Sequence, residues 1–222
     1  MEHRVAVRET QSVTDNTRRV IVDRPPGYGF TAGQSAEVSV DKPEWREEKR
    51  PFSFTSLTSE DCLEFMIRIY PAHHGVTEQI QRLKPGDHLI LSDPFGSLMY
   101  HGTGYFVAGG TGITPFLAIF RNLIRTSPLD ENTLIFSNRK ESEIIAREEL
   151  DAMFGDRVHY NITHEPSVRF NQGLVTQTYL DGLVTRRTSY CYVCGPDRMV
   201  KDVTAILGRL GVPDHKIITE TE

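Results

Sequence analysis

Up to about Tyr100 the chain alternates apolar and polar positions with a period of two, in short runs parted by turn residues. That period puts one face of each run in a core and the other in water, the mark of half-buried strands. Strands are predicted at residues 4–10, 18–23, 36–40, 51–56, 63–70 and 88–92, with helical character only at 76–83. Together they point to a barrel. From Gly104 the pattern changes to short apolar runs separated by longer amphipathic stretches, as in a parallel sheet wrapped by helices. Its five strands are expected at 105–108, 133–137, 158–163, 190–194 and 217–219. The change falls at 98–104, where Gly102 and Gly104 interrupt both periods, so two domains are expected, 1–100 and 101–222.

Composition narrows the function classes. The 222 residues carry a net charge of −5, with acids and bases interspersed and no basic tail or stripe, so nucleic acid is not an expected partner. No apolar run approaches the roughly 20 residues needed to span a bilayer. The opening Met1-Glu2-His3-Arg4 lacks a signal-peptide core, and a cytoplasmic protein without membrane insertion is expected. Three cysteines, Cys62, Cys191 and Cys194, are too few and too unevenly placed for a disulfide framework. Cys191 and Cys194 form a C-x-x-C, but Tyr192-Val193 between them suggest a strand, on which positions i and i+3 face opposite ways. No metal site is expected there, since no second pair of ligands accompanies them.

The chemistry-bearing pattern is glycine-rich. Tyr105-Phe106-Val107-Ala108-Gly109-Gly110-Thr111-Gly112-Ile113-Thr114-Pro115 leads from a buried strand into the amphipathic run 116–124. Glycines let the backbone turn tightly and approach a pyrophosphate, and the free amides and dipole of a helix N-terminus favour the anion. Thr114 is placed to cap that helix and Pro115 to occupy its first position. The segment departs from G-x-G-x-x-G by having Pro115 at the third glycine, and it lacks the Lys-Ser/Thr of a P-loop, so a purely structural turn stays open. A second such turn, Cys194-Gly195-Pro196-Asp197, repeats the strand-to-helix context, although helix capping alone would also explain it. Two turns at strand C-termini of one sheet point to one ligand crevice.

At these motifs the sequence resembles the ferredoxin-NADP reductase superfamily, within it the compact bacterial flavodoxin or ferredoxin reductases, almost end to end. Arg50-Pro51-Phe52-Ser53-Phe54-Thr55 looks like the flavin motif R-x-Y-S-x-S/T, and Gly75-Val76-Thr77 like its downstream phosphate-binding G-x-S/T. Gly109 to Pro115 looks like G-G-T-G-I-T-P, and Cys194-Gly195-Pro196 like C-G-P. Ala32-Gly33-Gln34 and Asp93-Pro94-Phe95-Gly96 are minor marks in the same order.

The resemblance implies a six-stranded antiparallel flavin-binding β-barrel followed by a five-stranded parallel α/β nucleotide-binding domain, with FAD tightly bound. It implies that Arg50 pairs with the flavin phosphate, Phe52 lies against the isoalloxazine, Ser53 hydrogen-bonds near N5, and Gly75, Val76 and Thr77 hold the phosphates. Pro51, Arg68, Ile69 and Tyr70 line the rest of the flavin site. Gly110, Thr111, Gly112, Thr114, Pro115, Gly195 and Pro196 are implied to hold NAD(P), with Cys194 bordering the point where nicotinamide C4 meets N5. Glu220 stands where a family carboxylate joins the serine network, or is simply solvated. Phe52 replaces a usual tyrosine and so loses a hydroxyl, and the tail Ile217 to Glu222 lacks the terminal aromatic of many relatives, implying a more open nicotinamide face.

Ser137-Asn138-Arg139-Lys140 follows the next strand and offers cations for a 2′-phosphate, which favours NADPH over NADH; a charged loop is the other reading. The chain has no cysteine set for an iron-sulfur centre, so electrons are expected to leave to a flavodoxin, a ferredoxin, an oxygenase component or a small quinone. Lys42, Arg46, Lys49 and Arg50 could attract an acidic carrier, but Glu44, Glu47 and Glu48 interrupt them. Two further readings stay open: a flavin-binding relay or regulatory subunit without nicotinamide turnover, and a simple α/β dehydrogenase without flavin.

Overall fold

The computed structural model describes residues 1–126, 129 and 131–220; Thr221 and Glu222, the end of the tail without an aromatic ring, lie outside the described residues. The chain divides into two compact units, Met1–Met99 with Thr114–Asn122, and Tyr100–Ile113 with Leu123–Glu222.

In the first unit, β1 (Glu2–Thr14), β2 (Thr17–Asp23), β3 (Ser35–Val40), β4 (Arg50–Ser53), β5 (Cys62–Arg68) and β6 (His88–Ser92) form an antiparallel sheet in the order β4-β3-β6-β1-β2-β5. Its two edges are drawn together beyond β4 by a bridge between Phe54 and Phe65, with the Thr55 amide donating to the Glu64 carbonyl at 2.8 Å. Alternate residues Val5, Val7, Val20, Val22, Leu89 and Leu91 fill the interior with Phe54 and Phe65, as the period of two requires.

Element ends depart from the sequence pattern for local reasons. The β1–β2 hairpin runs out to Thr14 opposite Thr17, because backbone pairing continues past Val7, the last buried residue of β1. β4 stops at Ser53 instead of Ser56, where the chain leaves β3 and turns toward β5. β5 stops at Arg68, since Pro71 opens a 3-10 turn at Pro71–His73. The helical stretch 76–83 is the short helix α1 (Val76–Gln81). The longer helix α2 (Thr114–Leu123) is buried from Thr114 through Phe120.

In the second unit β7 (Gly104–Gly109), β8 (Thr133–Asn138), β9 (Val158–Ile162), β10 (Asn171–Gln172), β11 (Tyr190–Cys194) and β12 (Ile217–Thr219) make a wholly parallel sheet in the order β10-β9-β8-β7-β11-β12. The sheet has six strands, not the five expected. The extra strand, β10, is two exposed polar residues with no hydrophobic signature, held to β9 through the buried side chain of Asn161, which bonds Asn171 and the Gly173 carbonyl. Helices α3 (Arg147–Phe154), α4 (Gln177–Leu183) and α5 (Asp197–Arg209) complete the unit. Tyr105, Val107, Cys191 and Val193 face one way into a core with Leu180, Val203, Ile206 and Leu207. No helix among the described residues is long and apolar enough to cross a membrane.

Candidate functional site

The sheet of the second unit reverses its strand order at β7. From β7 the chain adds β8, β9 and β10 on one side, then crosses back to place β11 and β12 on the other. In open α/β sheets the crevice at the C-terminal ends of the strands flanking such a reversal is where ligands bind. Both glycine turns lie there, because Cys194 pairs with Ala108 in the β11–β7 register.

The first turn winds as a 3-10 segment, Gly110–Ile113, that passes straight into α2. Thr114 is therefore the first residue of the helix itself and not a cap standing outside it, and Pro115 follows within the first turn, where its missing amide costs nothing. Gly110 has φ 54°, a left-handed conformation that glycine adopts at little cost. Gly112 is required for a different reason: a Cβ there would lie 2.3 Å from the Cys194 carbonyl oxygen, so the two turns are pressed backbone to backbone. Gly195 likewise has the Gly109 Cα 3.0 Å from where its Cβ would be. The result is a cradle of side-chain-free backbone, with Pro196 leading into the N-terminus of α5. These residues fit a pyrophosphate.

Cys194 is buried, and its thiol lies 3.5 Å from Glu220 Oε2, just past β12. Burial, reinforced by the neighbouring carboxylate, pushes the Cys194 thiol well above its ordinary range, so it stays protonated at neutral pH. Cys191, on the opposite face, is raised to about 12 by burial alone. Both are free thiols. Among the described residues no group of three or more His, Cys, Asp or Glu side chains is arranged to hold a metal ion.

Ser137 and Asn138 end β8 and Arg139 follows it, and Ser137 pairs with Gly109, which brings all three to the same end of the sheet as the glycine turns. The Asn138 side chain is buried with neither amide atom hydrogen-bonded, and its backbone carbonyl accepts from the Thr163 amide at 3.0 Å. Arg139 is already engaged. Its Nε and Nη2 donate to the two carboxylate oxygens of Glu143 at 3.3 and 3.1 Å.

In the first unit the flavin motif occupies β4, paired with β3 so that Ser35 faces Ser53 and Ala36 faces Phe52. The Ser35 hydroxyl donates to Ser53 Oγ at 3.2 Å, which leaves the Ser53 proton available to a further acceptor. Phe52 is partly buried against the barrel core. Arg50 is half exposed, with its guanidinium on the Lys49 carbonyl at 2.6 Å and 3.4 Å from Glu48. A surface pair of that kind contributes little, so a phosphate can displace it. Arg68 lies over the Tyr70 ring at 5.8 Å and His73 stacks on it at 5.2 Å, while Ile69 is buried. Gly75 caps α1 in an extended conformation, Val76 is buried, and Thr77 Oγ1 accepts the Tyr70 amide at 3.3 Å. That bond ties the two downstream flavin segments to each other, and an arginine, a serine proton and a helix start suit an anionic cofactor.

Sequence reasoning missed the residue that braces this motif. Glu64, on β5 and 5% exposed, takes the Thr55 hydroxyl and Arg121 Nη1 at 2.7 Å on one oxygen and Arg19 Nε at 2.5 Å on the other, and Arg121 also donates to the Thr55 carbonyl at 2.6 Å. Burial alone would raise the Glu64 carboxyl, but the Arg121 charge and these hydrogen bonds outweigh it and hold it below the ordinary value. Three of the four cations of the candidate basic patch stand beside carboxylates. Arg46 pairs with Asp41 at 2.7 Å, Lys49 with Glu2 at 2.6 Å and Arg50 with Glu48, so these three charges are answered locally.

Residues 106–205 match the oxidoreductase NAD-binding domain family. The chain is 32% identical over 223 residues to ferredoxin-NADP reductase B of Sorangium cellulosum, covering 91% of this chain and 90% of that protein. It is 27% identical over 215 residues to the reductase component of the naphthalene 1,2-dioxygenase system of Pseudomonas putida, covering 92% of this chain but spanning only 64% of that protein. Among solved structures, a ferredoxin NADP+ reductase from Neisseria gonorrhoeae with bound FAD and NADP superimposes with a TM-score of 0.82 at 22% identity, covering 98% of this chain and 97% of that one. The FAD/NAD-binding domain of a Vibrio cholerae nitric oxide dioxygenase gives 0.85 at 19% identity, covering 97% and 96%.

Proposed function

We propose that this chain, which belongs to the ferredoxin-NADP reductase superfamily, is a flavin-dependent reductase that takes hydride from NAD(P)H and passes electrons to a separate carrier protein or oxygenase component in the cytoplasm. When bound, FAD would supply the redox chemistry, as an acceptor of hydride and a source of single electrons. The observation that carries the reading is the pair of glycine turns packed together where the strand order reverses, in a chain that also carries the flavin motif on β4.

The protein's own residues bind, orient and donate. Arg50 neutralises the flavin phosphate with a permanently charged fork, and Thr77 with the first amides of α1 holds the phosphate oxygens. Phe52 packs along the ring without the hydroxyl of a tyrosine. Ser53 donates its free proton toward N5. Thr111 and the amides of both turns hold the pyrophosphate of the nucleotide, and Cys194, kept protonated, offers a compact neutral surface to the nicotinamide. No covalent bond to the protein is needed, since hydride transfer requires close approach alone. The test is to identify the flavin released from the purified protein by mass spectrometry and to assay NADH- and NADPH-driven reduction of ferricyanide. FAD together with turnover supports a reductase. FAD without turnover favours the relay or regulatory reading.

A further inference from the structure

Thr55 closes the flavin motif two residues after Ser53 and is fully buried. Its amide, hydroxyl and carbonyl all end on Glu64 or Arg121. The amide donates to the Glu64 carbonyl at 2.8 Å, the hydroxyl donates to Glu64 Oε1 at 2.7 Å, and the carbonyl accepts from Arg121 Nη1 at 2.6 Å. The grip continues on either side. The Phe54 amide donates to the Gln34 carbonyl at 3.1 Å, Phe54 bridges to Phe65, and the Glu64 amide donates to Ser56 Oγ at 3.2 Å.

The carboxylate contributes direction. One Glu64 oxygen takes the Thr55 hydroxyl and Arg121 Nη1, and the other takes Arg19 Nε at 2.5 Å, so donors converging from three residues fix the carboxylate plane and the place the Thr55 hydroxyl must occupy. A buried ion pair adds little stability over well-packed apolar side chains, so its value here lies in geometry. A neutral amide of the same shape would turn donor hydrogens on one of the guanidinium groups. Ser53 is thereby held from both ends of β4. It pairs with Ser35 on β3, which exchanges two backbone hydrogen bonds of 2.9 Å with Phe95, and the grip on Thr55 fixes the strand where it leaves.

We propose that Glu64 is a positioning residue for the flavin, holding the exit of β4 through Thr55 so that the Ser53 hydroxyl is aimed at N5 of the isoalloxazine. The inference rests on the reductase reading and deepens its account of Ser53. Glu64 acts through Thr55 and Ser53, so its effect on the flavin should vanish once the Ser53 hydroxyl is gone. A residue that merely stabilised the barrel would give independent, additive losses instead.

The test reads the N5 resonance of nitrogen-15-labelled FAD bound to the oxidised protein without nucleotide, because a pyridine-type nitrogen that accepts a hydrogen bond moves upfield. Ser53→Ala should move N5 downfield to its unbonded position. Glu64→Gln, which keeps the side-chain shape, and Thr55→Val, which keeps the ion pair and loses only the hydroxyl, should each move it part of the way. Neither should move it further in a Ser53→Ala background. In stopped-flow, reduction at saturating nucleotide should slow by roughly threefold to tenfold in each, a partial misplacement of the donor, with the half-saturating nucleotide concentration changed less than about twofold. A resonance unmoved in Ser53→Ala, or unmoved in both Glu64→Gln and Thr55→Val, would overturn the role of Glu64 and leave the reductase reading intact. So would a shift as large with the Ser53 hydroxyl absent as with it present. Purified protein that takes up no FAD would remove both.

Discussion

Arg121 Nη1 lies 2.7 Å from Glu64 Oε1 and donates as well to the Thr55 carbonyl, two residues beyond Ser53, so one ion pair braces the exit of the flavin strand. Both partners are largely buried. Arg121→Ala leaves the Glu64 carboxylate with Arg19 and Thr55 alone and should lower stability by less than the about 3–5 kcal/mol of a buried charge left wholly unpaired. Replacing both together should cost less than the sum. Urea denaturation of the two single variants and the double reads this directly, and additive losses would mean that the pair is not coupled.

The same carboxylate gives a pH dependence of known sign. Its folded value is held below the ordinary 4.5, so the unfolded chain binds the proton more readily, and the stabilisation is complete above that value and lost as pH falls through the depressed one. Glu64→Gln removes this term. The fall in melting temperature from pH 7 to pH 4 should be shallower in Glu64→Gln than in wild type, and parallel curves would assign the acid limb to other groups.

Gly112 and Gly109 should respond differently to an added methyl. In Gly112→Ala the Cβ meets the Cys194 carbonyl oxygen, backbone that cannot move without parting the two turns, and nucleotide binding should be lost. In Gly109→Ala the nearest atoms are the end of the Met199 side chain, at 2.5 and 2.9 Å, and a flexible thioether can swing away. Calorimetric titration with NAD+ should therefore show Gly109→Ala weakened and partly restored by Met199→Ala, with Gly112→Ala beyond rescue. Equal effects would mean that the turns are not packed as described.

The Cys194 thiol should be unreactive. Burial and the Glu220 carboxylate keep it protonated through neutral pH, while only the thiolate alkylates readily. Incubation with iodoacetamide at pH 7.5 followed by peptide mapping should label the half-buried Cys62 before Cys194. Fast labelling of Cys194 would reveal an activated thiol and a role beyond packing.

Much of this was legible in the chain. Period-two runs located the six barrel strands, and apolar bursts located five strands of the second sheet, because in both cases burial writes itself into the sequence. β10 was not legible, since Asn171 and Gln172 are exposed and owe their pairing to Asn161. The two turns could be read as one crevice because glycine without a side chain is visible in any sequence, but that Gly112 meets Cys194 is a tertiary fact. Glu64 and Arg121, 57 residues apart, carried no local signal. Arg139 and Glu143 did: a four-residue spacing of opposite charge, readable as a pair once the loop between them was seen to wind as a 3-10 turn at Glu141–Glu143.

Ser53 is the side chain proposed to donate toward the hydride-accepting atom of the flavin. Ser53→Ala should retain flavin and slow its reduction by roughly 10- to 100-fold, the loss expected for one donor aimed at developing charge. Ser35→Ala, which removes only the hydroxyl that donates to Ser53, should slow it less. Stopped-flow absorbance of both variants checks the order, and an unchanged rate in Ser53→Ala would remove Ser53 from the mechanism.

The central claim is tested most directly by an anaerobic absorbance titration of the flavin-loaded protein, first with NADH and then, on a fresh sample, with NADPH. Stoichiometric bleaching of the oxidised flavin band by at least one of the two nucleotides is the predicted result. Flavin that neither nucleotide bleaches, in protein shown to bind it, would contradict the reductase account and leave a binding or relay role in its place.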